Sequence, residues 1–361
     1  MTAPRQLIAV GGSDAGISAA LRARELDPSC EVTVVVADAY PNFSICGIPY
    51  YVSGEVTDWR NLAHRSTADL EATGMRLRVN TRATGLDPAG RRLTVRGPDG
   101  RDEHLPYDAL IVGTGAVSVR PPIAGLTGPF PLGPDDGVHL LHPMGDAVEV
   151  MRTLTGRQPS SAVVVGAGYI GLEMVEGLTG RGLAVTQIEA LPQVLPTVDP
   201  EFGALVHTEL TAHGVEVLTS TTVSRIAPAH PGRGGALQVE ATGPDGPLTR
   251  AADLVLVVVG VRPDTTLAAR AGAELGVRGA IAVDEGMRTN LPAVYAAGGL
   301  RGHPPPAARE HLAAAGHDRP QTGPGGRRER RGRGPPLRRQ RGHPGGQGLR
   351  PDRRPHRAAR A

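Results

Sequence analysis

Two stretches of the chain repeat one order of apolar and glycine-rich segments. The first predicts a buried strand, a tight turn, a helix and a second buried strand, at Leu7 to Val10, Gly11 to Gly16, Ile17 to Leu26 and Glu31 to Ala37. The second repeats this order about 155 residues later, at Ala162 to Val165, Gly166 to Gly171, Leu172 to Arg181 and Ala184 to Glu189. Two such βαβ units predict an α/β protein with two Rossmann-like dinucleotide sites.

Further strands are predicted at Ala109 to Val112, Leu254 to Val259 and Ala280 to Val283. After Gly299 neither the strand period nor the helix period continues. The Pro, Gly and Arg content of residues 300–361 cannot bury enough apolar surface to offset chain entropy. This segment is therefore predicted to be a disordered basic tail.

Charge and cysteine content narrow the class of protein. All 39 basic residues are arginine, and residues 301–361 hold 16 of them against 4 acidic residues, so the basic character belongs to the tail. The chain has no signal-peptide-like apolar region and no run of about 18 apolar residues, which predicts a cytoplasmic protein without a membrane anchor. Two cysteines are too few for a disulfide-stapled scaffold, and no metal site is expected.

The second glycine turn has the complete GxGxxG pattern. Gly166 permits the sharp turn, Gly168 lets a pyrophosphate approach the backbone, and Gly171 allows close packing of the helix on the strand. Glu189 ends the next strand, where a carboxylate would accept hydrogen bonds from ribose hydroxyls. Ala190 follows, with no arginine beside it for a 2′-phosphate, so the site is predicted to take NADH in preference to NADPH.

The first glycine turn is less complete. Gly11, Gly12 and Gly16 are present, but Ser13 stands at the second position of the pattern. The end of the following strand is apolar, and Asp38 is the candidate for the ribose-binding carboxylate. An aspartate in a solvated turn is the alternative interpretation of Asp38.

A single cysteine, Cys46, follows the second strand of the first βαβ unit. The segment Tyr40 to Tyr51 around it opens toward the carboxyl edge of the predicted sheet. A thiolate there, favoured by a helix N-terminus, could attack a disulfide or a peroxide. A lone cysteine is also often an inert buried residue, and the residues alone leave both interpretations open.

Together these features resemble the single-cysteine branch of the pyridine nucleotide-disulphide oxidoreductases, which includes coenzyme A-disulfide reductases, NADH oxidases and peroxidases, and persulfide reductases. The similarity extends over residues 7–298, and Cys46-Gly-Ile-Pro-Tyr-Tyr is similar to the branch's Cys-Gly-Leu-Pro-Tyr-Tyr. The resemblance implies FAD and NADH as cofactors and Cys46 as the catalytic residue. Tyr51 stands where classical reductases have their second cysteine, so the oxidised form of Cys46 would be a sulfenic acid or a mixed disulfide.

The resemblance also implies further site residues. Three connecting segments similar to those of the family add Thr114, Gly115, Gly260 and Gly298 to the predicted cofactor-binding set. Tyr169 matches the tyrosine that gates the nicotinamide pocket in the family. The predicted substrate-binding residues are Ser18, Arg22 and Asn42, and Asn42 begins the sequence Asn-Phe-Ser-Ile where coenzyme A-disulfide reductases have Ser-Phe-Ala-Asn. This difference leaves the electron acceptor open among a disulfide, a persulfide, a peroxide and oxygen.

The predicted organisation is a three-layer ββα FAD domain in residues 1–117 and 246–299, with an NAD domain inserted at residues 118–245. In the family a C-terminal dimerisation domain follows, whereas this chain has the tail at residues 300–361. Back-translated with GC-rich codons and read one base later, Gly299 to Pro306 can give Asp-Cys-Ala-Val-Thr-His-His-Arg, which is similar to the family. The hypothesis is a frameshift that replaced the dimerisation domain and left a catalytically impaired product.

Two other functions are considered. The basic tail could neutralise nucleic-acid phosphates, but aromatic residues are missing from it, and a nucleic-acid partner is not expected. A flavin monooxygenase or a ferredoxin reductase would also need two dinucleotide folds. Neither chemistry would require Cys46, so Cys46→Ser distinguishes them from a cysteine-dependent reductase. The expected partners are a small-molecule thiol, disulfide or oxygen species, and a second copy of the chain where the dimerisation domain is kept.

Overall fold

The protein is described by a computed structural model that covers residues 4–229, 236–299 and 301–302. The predicted tail at residues 300–361 lies outside the described residues except for the short strand Arg301–Gly302, which pairs in parallel with Ile281–Ala282. The structure therefore concerns the two predicted dinucleotide-binding units and the segments that connect them.

The first βαβ unit lies in a five-stranded parallel sheet. In spatial order the strands are β19 (Val294–Ala296), β7 (Ala109–Val112), β1 (Gln6–Val10), β2 (Glu31–Val35) and β3 (Arg76–Arg78). Helices α1 (Asp14–Leu26) and α3 (Thr67–Ala72) cover one face, and the antiparallel strands β4 (Arg82–Asp87), β5 (Arg92–Arg96) and β6 (Asp102–Pro106) cover the other.

Alternate side chains of β1 enter the two layers, as expected of a strand buried on both faces. Ala9 packs in one cluster with Ile17 of α1, whereas Ile8 and Val10 pack in another with Leu93 of β5. This arrangement confirms the predicted three-layer ββα architecture.

The second βαβ unit repeats the architecture. Its parallel sheet has the order β12 (Glu216–Leu218), β11 (Ala184–Ile188), β10 (Ser161–Val165), β16 (Leu254–Val257) and β9 (Val138–Leu140). Helices α4 (Met144–Arg157) and α5 (Tyr169–Gly180) cover one face, and the antiparallel strands β13 (Thr222–Pro228), β14 (Leu237–Gly243) and β15 (Gly246–Ala252) cover the other. Helix α6 (Pro200–Ala212) lies between β11 and β12 in the chain.

The remaining elements connect the two units or lie beside them. Strands β8 (Ala116–Ser118) and β17 (Val261–Pro263) form an antiparallel ribbon where the chain leaves the first unit and returns to it. The other elements are the helices α2 (Ile48–Ser53) and α7 (Thr266–Arg270), and the strands β18 (Ile281–Ala282) and β20 (Arg301–Gly302).

One predicted domain boundary is wrong. The return to the first unit was expected at residue 246, but β15 pairs with β14 and β16 pairs with β10, so both strands belong to the second unit. The chain returns only at β17, after Val257. An apolar strand such as β16 fits either sheet by its pattern, and only hydrogen bonding decides which sheet it joins.

The two helices that follow the glycine turns begin earlier than predicted. Helix α1 starts at Asp14 rather than at Ile17, and α5 starts at Tyr169 rather than at Leu172. The reversal of chain direction needs only the three residues between strand and helix, so the third glycine of each pattern lies within the first helical turn. This position brings Gly16 and Gly171 against the carbonyl groups of Gly11 and Gly166, the first glycines of the two turns.

Candidate functional site

The first glycine turn depends on close backbone contacts. Gly11 has φ +119°, and a Cβ added there would overlap the carbonyl oxygen of Gly113 at the end of β7. A Cβ at Gly16 would overlap the carbonyl oxygen of Gly11. Both glycines are therefore required by the approach of β1, β7 and α1 to one another.

The second glycine turn has the same construction, with one informative exception. Gly166 has φ +107°, and a Cβ there would lie 2.8 Å from the carbonyl oxygen of Val258. A Cβ at Gly168 would have no other atom within 4 Å, and the backbone at φ −76° and ψ −173° suits any residue. The described chain thus gives no reason for a glycine at position 168, whereas a ligand that approaches the backbone would.

A cavity of about 610 Å³ opens at the carboxyl end of the first sheet, beside β1, where the chain first adds β2 and β3 on one side of β1 and later β7 and β19 on the other. Its volume lies within the range of about 300–1,000 Å³ typical of small-molecule sites. The lining residues come from three strand ends and from connections nearby, and the ones relevant to binding are Gly11, Gly12, Ser13, Asp38, Ile45, Arg82, Thr114, Gly115, His142, Asp264 and Arg270. Strand divergence of this kind is the usual location of a dinucleotide in a doubly wound fold.

Asp38 lies at one end of this cavity. One carboxylate oxygen accepts a hydrogen bond from the backbone N–H of Tyr40 at 2.9 Å, and the carbonyl oxygen of Asp38 accepts another from Asn80 at 2.8 Å. Burial raises the pKa of the Asp38 carboxyl, against the opposing effects of the Tyr40 hydrogen bond and the nearby Arg82 guanidinium. The side chain is thus positioned by the backbone and is available to a polar ligand.

Four further predicted cofactor residues lie around the strand ends and connecting ribbon. The Thr114 hydroxyl donates to the carbonyl oxygen of Asp264 at 2.6 Å, and Asp264 donates back to Gly115 at 3.0 Å. Gly260 has φ +117° and accepts a hydrogen bond from Val119 beside that ribbon. At the end of β19, a Cβ on Gly298 would lie 3.1 Å from the Cβ of Ala15 in α1.

The first cavity has the features that an FAD requires. The turn before α1 and Asp38 both line it, so the helix N-terminus would meet a pyrophosphate and the Asp38 carboxylate would meet an adenosine ribose. The open space beside Gly115, where a Cβ would touch nothing within 4 Å, leaves room for the rest of the group.

A second cavity of about 650 Å³ lies at the carboxyl end of the second sheet. Its lining includes Gly166, Gly168, Tyr169, Ile170, Glu189, Ala190, Leu191, Pro196, Thr221, Val259 and Gly260. Glu189 is its one charged lining residue within the described part of the chain. Its two carboxylate oxygens accept hydrogen bonds from the backbone N–H groups of Ala167 at 2.7 Å and Leu191 at 2.8 Å.

Tyr169 stands at the first position of α5 with an exposed ring on this cavity. The Thr197 hydroxyl donates a hydrogen bond of 3.3 Å to the Tyr169 hydroxyl oxygen. The side chain therefore lies at the entrance of the cavity, on the side where the chain reaches α6.

Cys46 is exposed and lies in a short 3₁₀ turn, Ile45–Gly47, directly before α2. Its neighbour Ile45 lines the first cavity, whereas Cys46 itself does not. The preceding residues are held by two backbone hydrogen bonds, from Ser44 to Leu62 and from His64 to Asn42. The other cysteine, Cys30, is buried, and desolvation raises the pKa of its thiol, so it stays protonated and inaccessible.

Helix α2, which follows Cys46, packs against the second unit rather than the first. Its residues Ile48 and Val52 belong to the same cluster as Met174 of α5. Arg181 at the end of α5 donates a hydrogen bond to the carbonyl oxygen of Val52. The cysteine segment thus bridges the two dinucleotide-binding units.

The three predicted substrate residues have different environments. Ser18 and Arg22 lie one turn apart on α1 with exposed side chains, and Arg22 forms an ion pair of 2.6 Å with Glu25. Asn42 is buried, has φ +56°, and donates from its amide nitrogen to Asp14 at 3.3 Å. Because Asp14 precedes Ser18 by one helical turn, Asn42 adjoins the same face of α1.

A small gap of about 30 Å³ lies between the two cavities. It is lined by Ile45, Ile48, Pro49, Leu141, His142, Ile170 and Glu173. Ile45 and His142 also line the first cavity, and Ile170 also lines the second. The two cavities therefore approach each other at Ile45, the residue before Cys46.

Several side chains at these cavities belong to no sequence motif. Arg82, Asp264 and Arg270 line the first cavity, and His142 lines both that cavity and the gap. His139 lies buried in β9 with a hydrogen bond of 2.9 Å to Thr153. A single histidine after a short strand has no sequence signal that would indicate a cavity.

No three His, Cys, Asp or Glu side chains are arranged to hold a metal ion in the part of the chain that the structure describes. Across the same residues, no helix combines the length and the apolar character needed to cross a bilayer.

Comparison with known proteins agrees with this geometry. Residues 5–319 match the family described as pyridine nucleotide-disulphide oxidoreductase. An NADH oxidase of Methanocaldococcus jannaschii is 31% identical over 293 residues, which are 81% of this chain and 62% of that protein. The chain thus spans less than two thirds of the length of this relative.

Two solved structures are similar over most of the described chain. An NAD-dependent persulfide reductase from A. fulgidus has a TM-score of 0.73 and 34% identity, over 82% of this chain and 53% of that one. An engineered water-forming NADPH oxidase, TPNOX, made from the Lactobacillus brevis enzyme LbNOX, has a TM-score of 0.72 and 25% identity, over 82% of this chain and 62% of that one.

Proposed function

The chain belongs to the pyridine nucleotide-disulphide oxidoreductase family, and we propose that it transfers electrons from NADH through FAD to an acceptor that reacts at Cys46. The observation that carries this proposal is the approach of the two cavities at a gap lined by Ile45 and Ile170. The residue after Ile45 is an exposed cysteine. A donor site, a carrier site and a reactive thiol therefore adjoin in one region.

FAD, when bound, would accept two electrons from NADH and make them available to a sulfur or oxygen acceptor. The first cavity would hold it with the pyrophosphate at Gly11 and Gly12 and the adenosine ribose at Asp38. The redox-active ring would then lie toward Ile45 and His142, which also line the first cavity. This orientation places the ring beside the gap that leads to the second cavity.

The second cavity favours NADH because Glu189 gives its adenosine end a negative charge and no cation offsets it among the described lining residues. The carboxylate holds two backbone N–H groups and retains acceptor capacity for ribose hydroxyls. A 2′-phosphate would be repelled by Glu189 and would find only apolar side chains at Ala190 and Leu191.

The substitutions that distinguish TPNOX from LbNOX support the preference for NADH over NADPH. Its five substitutions replace a glycine, an aspartate, an alanine, a methionine and a proline of LbNOX, and the engineered enzyme is bound to NADPH. Residues of the same or similar type occur here at the same spacing: Gly171, Glu189, Ala190, Leu191 and Pro196. The last four of these line the second cavity. This chain therefore has the arrangement that was altered to obtain an NADPH enzyme.

At Cys46 the chemistry would proceed in two steps for a disulfide RSSR. The thiolate attacks one sulfur, forms a Cys46–S–S–R bond and releases RS⁻, which takes up a proton from solvent. Two electrons that originate from NADH then cleave the mixed disulfide, restore the Cys46 thiolate and release the second thiol. Cys30 is buried and cannot form a disulfide with Cys46 without unfolding. A mixed disulfide, or a sulfenic acid with a peroxide, is therefore the oxidised form.

Substrate contacts are proposed on the exposed face of α1. Ser18 offers a hydroxyl, and Arg22 a guanidinium that would have to exchange its surface partner Glu25 for an anionic group. An exposed ion pair of this kind contributes about 0–1 kcal/mol to protein stability, so breaking the Arg22–Glu25 pair to bind an anionic group costs little free energy. Buried Asn42 would act indirectly, by holding the turn before Cys46 against α1.

The test of the proposed function is Cys46→Ser, compared with Cys30→Ser. NADH oxidation is measured without oxygen when coenzyme A disulfide, a persulfide or a peroxide is the acceptor. A separate assay in air measures NADH oxidation by oxygen. We expect Cys46→Ser to lower the rate by about 10³-fold or more, because the nucleophile is removed. The spectrum of bound FAD and its reduction by NADH should remain.

Cys30→Ser should keep the wild-type rate, since the buried Cys30 side chain meets no substrate. An unchanged rate in Cys46→Ser would contradict the cysteine mechanism and favour a ferredoxin reductase or a flavin monooxygenase. Failure of wild-type protein to bind FAD would contradict the proposed function as a whole.

A further inference from the structure

A partly buried histidine lies where the two cavities approach each other. His142 follows β9 in the second unit, yet its side chain lines the first cavity. It also lines the small gap, together with Ile45 from the cysteine segment and Ile170 from α5. Among the described residues that line the first cavity, His142 is the one ionisable side chain that also borders this gap.

The imidazole has an unused hydrogen-bonding atom. Its Nδ1 is buried and has no partner among the described residues. The connection is held instead by the backbone, because the His142 N–H donates to the Asp146 carboxylate at 3.0 Å. Buried polar atoms usually have a hydrogen-bond partner, so the unpaired Nδ1 is an exception, and it belongs to a side chain that lines both the first cavity and the gap.

The surroundings favour the neutral imidazole. Burial lowers the pKa of His142, and Glu173, the carboxylate that lines the same gap, has its own pKa raised by burial and by the neighbouring Glu176. A neutral imidazole has one donor and one acceptor nitrogen. It can therefore form a hydrogen bond with a neutral heteroaromatic ring without bringing a full charge to it.

We propose that His142 is a positioning residue for FAD, with its imidazole in a hydrogen bond to the polar edge of the redox-active ring on the side where NADH approaches. This inference rests on the proposed function, since it assumes that the first cavity holds FAD and the second NADH. It assigns the second unit a direct contact with the cofactor of the first.

The experiment compares His142→Asn and His142→Leu with the wild-type protein. Asparagine can place an amide near the position of Nδ1, whereas leucine fills similar space without a polar atom. The apoprotein is titrated with FAD, and the dissociation constant and the visible absorption spectrum of bound FAD are measured. Loss of one hydrogen bond predicts about 3- to 10-fold weaker binding in His142→Leu, with a shifted flavin spectrum. His142→Asn should recover most of both properties.

His139→Asn is the matched control. His139 is buried on the adjoining strand, three positions earlier, but lines neither the first cavity nor the gap. This variant should lose thermal stability because the bond to Thr153 is disturbed, while FAD affinity and spectrum stay unchanged.

The possible results separate the two levels of inference. If His142→Leu and His142→Asn both bind FAD with wild-type affinity and spectrum, the role of His142 is overturned and the proposed function stands. If His142→Leu does not fold, His142→Ala takes its place as the variant without a polar side chain: weaker FAD binding with a shifted spectrum in His142→Ala, recovered in His142→Asn, would support the polar contact, and wild-type values in His142→Ala would overturn it. If the wild-type apoprotein takes up no FAD, the proposed function itself fails.

Discussion

The two glycine turns differ at one position, and the difference separates folding from binding. Ser13 in the first turn and Gly168 in the second have nearly the same backbone, with φ −90° and ψ −177° against φ −76° and ψ −173°. Each is the residue before its helix. Neither conformation requires glycine, and a Cβ at Gly168 would meet no protein atom within 4 Å. The backbone at the second position of the pattern therefore suits any residue in both turns.

The first position is different, because Gly11 and Gly166 both have positive φ and lie against the backbone of a neighbouring strand. The protein backbone therefore requires glycine at both positions, whether or not a ligand is bound. The comparison implies that a substitution at the first position should change stability, whereas one at the second should change only affinity.

The two acidic residues differ as well. Glu189 directly follows β11 and holds two backbone N–H groups, one of them in the glycine turn. Asp38 lies three residues after the end of β2 and holds one N–H, that of Tyr40. The second site is thus the more tightly constructed of the two, and the first depends more on the loop that leads to Cys46.

The largest effect is expected for Gly11→Ala. The added Cβ would overlap the Gly113 carbonyl at a backbone angle that alanine adopts poorly, so we expect a loss of more than about 2 kcal/mol in the free energy of unfolding. Urea denaturation followed by circular dichroism measures this loss. Gly115→Ala also has positive φ but open space around it, and it should lose less. Equal stability of Gly11→Ala and wild type would contradict the steric argument.

The next effect concerns the choice of nicotinamide cofactor. Glu189→Ala combined with Ala190→Arg removes a negative charge and adds a cation at the second cavity. We expect the ratio of kcat/KM for NADPH to that for NADH to rise by about 10- to 100-fold, as about 1.4–2.7 kcal/mol of binding energy is redistributed. Asp38→Ala, at the first site, is the control and should leave this ratio unchanged. A shift in the control would show that the two sites are not independent.

The smallest effect is expected at the second position of the turns. Gly168→Ser copies the first turn into the second, and we expect KM for NADH to rise about 10-fold with a change in stability of no more than about 0.5 kcal/mol. Ser13→Gly makes the reverse exchange and should alter stability by only a few tenths of a kcal/mol. Steady-state kinetics and thermal unfolding measure the two quantities. A large loss of stability in Gly168→Ser would mean that position 168 serves the fold after all.

Sequence patterns identified most of the local structure at these sites. Gly11 and Gly166 were recognisable because each ends an apolar strand and precedes a helix, and both adopt the expected turn. Glu189 was found from its place at the end of a strand, and it lines the second cavity. Its ribose-binding role stays a prediction. The NAD-domain boundary at residue 245 was misplaced, since β16 could have completed either sheet.

The position of the cysteine segment and of His142 could not be obtained in this way. Cys46 belongs to the first unit in the chain, but α2 after it packs on α5 of the second. His142 belongs to the second unit and lines the cavity of the first. No periodicity or motif in the sequence indicates that a segment of one unit contacts the other unit.

The sequence by itself determined the two βαβ units, their glycine turns and the acidic residue of the second site, because strand period, positive φ and close backbone contacts act between residues near in the chain. Only the tertiary structure decided that the two cavities approach each other at Ile45, the residue before Cys46, and that His142 stands between them. These features depend on contacts between residues far apart in the chain, such as Ile48 with Met174, and packing of that kind follows from the shape of the assembled core.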